Sequence, residues 1–183
     1  MNKAAIITLV AAVWLLTACH SDRFQVSGVA TGLNDGDTIC LTSDMEQLAP
    51  MTLVTVKDQH FKMEETTDTV RLYAIYPAGQ PECRVTFFGE PGTIKVEMSN
   101  RPGVSRVSGT KLNNEWQALN DKVADYGQRI NRLINTKTAN QNLFAQVSKL
   151  YQEMINQIDE TAKRNSDNQL GKFIKENWNL KNL

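Results

Sequence analysis

The 183-residue chain predicts an α+β fold, with an antiparallel β-sandwich of seven or eight short strands over residues 24–110 and a helical region over 111–183. Three observations carry this. Between Phe24 and Ser108, apolar residues recur with period two between clusters of turn-forming residues, the pattern of half-buried strands. No helix-length pattern interrupts them, so the crossover helices of a parallel sheet have no room. Beyond Gly109 and Thr110 the apolar spacing lengthens to that of a helix.

The elements follow in order. Phe24, Val26 and the Gly28-Val29 step read as a strand, ended at Asn34-Asp35-Gly36-Asp37, where the glycine suits a tight turn. Residues 38–41 return as a second strand. After a looser loop over 43–50, the β-branched run 52–56 is joined by the Lys57-Asp58-Gln59-His60 turn to 61–63. Residues 69–76, 83–88, 93–98 and 104–108 complete the set, separated by turns at 77–81, 89–92 and 100–103. In the helical region Trp116, Leu119, Val123, Tyr126, Ile130 and Leu133 are spaced 3, 4, 3, 4, 3. Phe144, Val147, Tyr151, Met154 and Ile158 continue with the same alternation after a polar break at 135–142, which predicts two antiparallel helices of about five turns each. A third, short helix is expected over 169–178, capped by Asp167 or Asn168, with Leu170, Phe173 and Ile174 on one face.

Ahead of the sandwich stands a single cation, Lys3, then an uncharged run over residues 4–16, apolar but for Thr8, and Leu16-Thr17-Ala18-Cys19. The run is shorter than the roughly 20 residues of a membrane-spanning helix and has the form of an export signal. Small residues before a cysteine make it a lipobox. The segment resembles bacterial lipoprotein signals, which implies a signal peptide at 1–18, a palmitate-bearing lipid anchor on Cys19 and a short tether at 19–23. Stable attachment needs more than one acyl chain, and a bacterial lipoprotein carries three.

Composition excludes some partners. Lys plus Arg equals Asp plus Glu at 20 each, so there is no field to gather nucleic acid, and the membrane is expected to be reached through covalent lipid. Cys40 and Cys83 remain once Cys19 is lipidated. In an oxidising compartment they could form a disulfide across the two sheets, or they could be two buried thiols; neither belongs to a Cys-x-x-Cys pair.

The chemistry-bearing residues are sparse. His20 and His60 fall in the tether and in a turn, and no serine elbow, phosphate loop or His-Glu-x-x-His occurs. The oxygens of Asn34-Asp35-Gly36-Asp37 lack the later glutamate of a calcium loop. No metal, no cofactor and no catalytic set are expected. Trp116, Tyr126, Phe144 and Tyr151 form an aromatic stripe that is either core packing or the lining of a partner or ligand surface. An apolar seam wider than the hairpin can cover would leave a patch of the kind that marks interaction sites.

Specific motifs recur along the sandwich: residues 24–29, 33–39, 54–61, Gly89-Glu90-Pro91-Gly92-Thr93-Ile94 and Val107-Ser108-Gly109-Thr110-Lys111-Leu112-Asn113. With these, the segment from Phe24 to about Trp116 resembles the small β-domain of unknown function at the front of lipid-anchored thiol-disulfide oxidoreductases of the thioredoxin and alkyl hydroperoxide reductase type. The stretch Asn165-Ser166-Asp167-Asn168-Gln169-Leu170-Gly171 resembles the connector that follows it. In those relatives a thioredoxin-like domain with its Cys-x-x-Cys comes next, and this sequence ends at Leu183, so no catalytic residue carries over. The resemblance implies a non-catalytic binding or accessory module of the bacterial cell envelope with a protein partner there. A truncated or partner-dependent oxidoreductase component and a binder of small ligands or glycans are the alternatives. His20, where some lipoproteins retained in the inner membrane have aspartate, points to the outer membrane, facing the periplasm.

Overall fold

The computed structural model describes residues 22–135 and 142–178. The expectations for the signal segment, for Cys19 and His20 and for most of the interhelical break lie outside those residues. Among the described residues eight strands form, β1 (Arg23–Thr31), β2 (Thr38–Thr42), β3 (Thr52–Thr55), β4 (His60–Thr66), β5 (Leu72–Pro77), β6 (Val85–Phe88), β7 (Gly92–Ser99) and β8 (Arg106–Ser108). Three helices follow in the same residues, α1 (Lys111–Asn135), α2 (Leu143–Arg164) and α3 (Gln169–Asn177).

The strands make two four-stranded sheets, in the orders β4-β1-β7-β8 and β3-β2-β5-β6, so the α+β sandwich is realised. One pair departs from the expected antiparallel pattern: β1 and β7 run parallel, with Phe24 opposite Gly92 and Thr31 opposite Ser99. A parallel neighbour needs a long connection. Here the connection takes in all four strands of the second sheet and also β4, which lies antiparallel on the other side of β1, before the chain re-enters the first sheet in its original direction. Cys83 is the other difference. It lies in a 3₁₀ turn over Pro81–Cys83 instead of opening a strand, because Pro81 sits at the start of that turn.

Period two places the core between the sheets. Phe24, Val26, Ile94 and Val96 of one sheet face Ile39, Leu41, Tyr73 and Phe87 of the other, all buried. The Phe24 and Tyr73 rings lie 5.0 Å apart between centroids, and Tyr73 stacks on Phe87 at 5.8 Å. Gly89 allows this cluster, since a Cβ there would stand 2.4 Å from the Tyr73 ring. The helices are longer than the apolar spacing alone marks out, at 25 and 22 residues. Asn168 caps α3 as expected, its side chain accepting from the backbone N–H of Leu170 (3.0 Å) and Gly171 (3.3 Å). Among the described residues, no helix is long and apolar enough to cross a membrane.

Candidate interaction site and the joint that carries it

A sandwich has four edges, each a row of unpaired backbone groups. At the β6 and β8 edges, α1 closes them with side chains. Asn113, fully buried, accepts from Phe88 N–H through Oδ1 (2.7 Å) and donates from Nδ2 to Phe88 C=O (2.8 Å), so one amide does what a ninth strand would do. Two residues before Phe88, the Trp116 indole donates to the Thr86 carbonyl at 2.9 Å. On β8, Val107 N–H donates to Gln117 Oε1 (2.8 Å). Glu90 completes the joint from the other side: its Oε1 accepts from Leu112 N–H (2.9 Å) and Asn113 N–H (3.3 Å), two of the orphan donors at the start of α1.

A second joint fixes α3 to the hairpin. Asn165, buried, donates to Glu115 of α1 (2.6 Å) and accepts from Asn168 (2.6 Å), whose own Oδ1 caps α3. Gly171 is wedged against this turn, where a Cβ would lie 2.0 Å from the Asn165 carbonyl oxygen. A cleft of about 640 Å³ runs between the two joints, lined by Glu90, Lys111, Glu115, Arg164, Asn165 and Lys172 among others. Its buried polar side chains are already partnered, because they are the joints themselves.

Of the residues singled out in the sequence, Cys19 lies outside the described residues. Of the two alternatives for Cys40 and Cys83, the buried thiols are realised and the disulfide is not: both are free and buried. The strand order gives the reason. Cys40 is paired with Tyr76 of β5, and Cys83 lies beyond β5 at the approach to β6, so two strand spacings, roughly 10 Å, part them. A disulfide spans at most about 7 Å between Cα atoms. Burial pushes both thiols up, against a smaller opposing effect on Cys40 from its hydrogen bond with Tyr76 and with the charge of Glu82 adding to the shift on Cys83. A poorly ionised, buried thiol is a poor nucleophile.

The four aromatic residues do not make one surface. Trp116 is core: it packs edge-on to Phe88 (5.7 Å) and Phe173 (5.6 Å) and against Trp178 (6.0 Å). Tyr126 is half-buried beneath the Arg129 guanidinium, 5.1 Å from its ring centre. Phe144 is 84% exposed and Tyr151 46%. Ile134, 55% exposed, joins these two and was not singled out in the sequence.

Helical geometry relates the exposed residues to the buried ones. Eighteen residues make five full turns. Ile134 therefore stands on the same face of α1 as Trp116, and Phe144 on the same face of α2 as Ala162. Trp116 and Ala162 are buried at the base, whereas the same face at the tip is open. Ile130 and Leu150, buried between the helices, hold the tip together. The cations Arg129 and Lys149 lie on the opposite side, along a groove of about 440 Å³ that also takes in Glu153.

The tip points away from the start of β1. β1 begins beside the start of α1, since Phe24 pairs with Gly92 and the neighbouring Thr93 carbonyl abuts Gly109. α1 then runs back along β8, past Val107 at Gln117 and Arg106 at Asp121, and extends about 37 Å.

No curated protein matches the chain. A family model described as a domain of unknown function matches residues 24–116, which takes in both sheets and the first joint through Trp116. That span is just over half of the 183 residues, and the chain belongs to the DUF4369 family.

Proposed function

We propose that the protein is a lipid-anchored component of the bacterial cell envelope that works by docking and not by catalysis, with the hairpin tip as its contact surface. The exposed face of Ile134, Phe144 and Tyr151 carries this reading, because it continues a face that the fold buries at the base. Contiguous exposed apolar surface of this kind marks interaction sites. The joints support it: Asn113, Glu90 and Trp116 are used to fix the hairpin rigidly to the sandwich, so the arm is presented in one direction.

In this reading Cys19 carries the lipid and a few tether residues separate it from β1, which leaves the tip far from the bilayer. His20 beside that cysteine favours the outer membrane, facing the periplasm. The resemblance to the front domain of lipid-anchored thiol-disulfide oxidoreductases supports an accessory role, while the buried, poorly ionised Cys40 and Cys83 speak against these thiols doing redox work of their own.

Labelling cells with palmitate and fractionating them tests the anchor. The wild-type chain should take up label and partition with membranes, and Cys19→Ser should abolish the label and release the protein. A Cys19→Ser chain that stays tightly membrane-bound would contradict lipidation.

A further inference from the structure

We infer that residues 43–50 form a lid on the outer face of the second sheet, which opens as a unit while the sandwich stays folded and uncovers Cys40 and Tyr76. Period two defines the face beneath it. Ile39 and Leu41 of β2 and Tyr73 and Ile75 of β5 belong to the core between the sheets, so Cys40, Thr42, Ala74 and Tyr76 point out of the sandwich, with Cys40 opposite Tyr76 and Thr42 opposite Ala74. Outward residues of a solvated sheet are exposed, yet these four are at most 5% exposed. Toward β6 the cover is α1 and α3, through Trp116 and Phe173 on Phe88. Toward β2 it is the segment between β2 and β3. Thr42 Oγ1 donates to the Ala49 carbonyl (2.7 Å) and accepts from Asp44 N–H (2.9 Å), and the Tyr76 hydroxyl donates to the Leu48 carbonyl.

This cover is held lightly. None of residues 43–51 is buried, and only Asp44 and Leu48 are even half-buried, so closing the lid gains little apolar burial. Leu48 stands at φ 53°, in the left-handed region that bulky side chains avoid, so the closed position also carries strain. The segment nevertheless holds together, because Asp44 Oδ1 accepts from the backbone N–H of Glu46 (3.0 Å) and Gln47 (2.9 Å). Its far end is fixed where Met51 N–H donates to the Leu41 carbonyl (2.8 Å). Segments with few buried apolar contacts open at a fraction of the free energy of global unfolding.

Opening breaks the bonds from Thr42 and Tyr76 and leaves the β2 and β5 ladders intact. It brings Cys40 and Tyr76 to solvent in a row with Leu53, which lies opposite Cys40 on β3 and is already 60% exposed. The closed state hides most of this row, and the open state presents it.

Alkylation of the detergent-solubilised full chain with iodoacetamide, located by mass spectrometry of its peptides, uses Cys40 as the reporter of opening. In the wild type, Cys40 should be labelled at a rate that stays level as urea is raised below the unfolding transition, the mark of an opening that exposes little surface. Thr42→Val keeps the shape of the side chain and removes both of its bonds to the lid. It should speed labelling of Cys40 about tenfold and leave that of Cys83, in the turn before β6, unchanged. Urea titration of the variant shows whether the sandwich keeps its midpoint. No labelling of Cys40 in native buffer, labelling that climbs with urea along the slope of global unfolding, or a Thr42→Val effect absent at Cys40 or equal at both thiols overturns the lid.

Discussion

Asn113 shows what a single side chain does in this molecule. Its amide satisfies both backbone groups of Phe88 on an edge strand that no further strand covers. Leaving a buried donor or acceptor unpaired costs about 1–3 kcal/mol each. Asn113→Ala should therefore lower the free energy of unfolding by about 2–4 kcal/mol in urea titration. Asn113→Asp should be no better, because a carboxylate cannot donate to the Phe88 carbonyl; a loss near zero for either variant would show that water replaces the amide. The thiols make a prediction about pH. Burial raises the Cys40 and Cys83 values, so the unfolded chain gives up those protons first. Their contribution to stability is complete below the usual thiol pKa of about 8.5 and is lost as pH rises through the higher folded values. Unfolding titrations between neutral and alkaline pH should show stability falling above that point, and Cys40→Ala should flatten the fall.

At the scale of elements, the first joint couples two structures that were legible separately. Period-two and heptad spacing located the eight strands and three helices of the described residues, because each depends on local alternation of apolar side chains. They could not show that β1 and β7 run parallel, since alternation is the same in both orientations and the direction is set by a connection through the other sheet. They placed Trp116, Tyr126, Phe144 and Tyr151 on one stripe, yet which part of a stripe is covered depends on where the sandwich ends, and no local pattern records that. Ile134 could have been found by counting eighteen residues on from Trp116. Glu90 and Asn113 were visible only as parts of the motifs that carry the family resemblance, and their role depends on a contact between segments 23 residues apart. Trp116 carries the mechanical load of this joint through its burial and its bond to Thr86. Trp116→Ala should cost about 3–5 kcal/mol and leave the sandwich unfolding at higher denaturant than the helices, read by comparing near- and far-ultraviolet circular dichroism. A single coincident transition at unchanged midpoint would contradict the joint.

At the scale of the whole molecule, the start of β1, where the proposed anchor would join, and the hairpin tip proposed for docking lie apart, joined by a body whose polar side chains are used to hold its parts together. The most direct test of docking at the tip is photocrosslinking in living cells from a probe placed at Phe144, compared with the same probe at Lys149 on the opposite side of α2. Specific, saturable adducts from position 144 and none from position 149 are expected. Equal adducts from both positions, or none from either, would contradict a docking face at the tip.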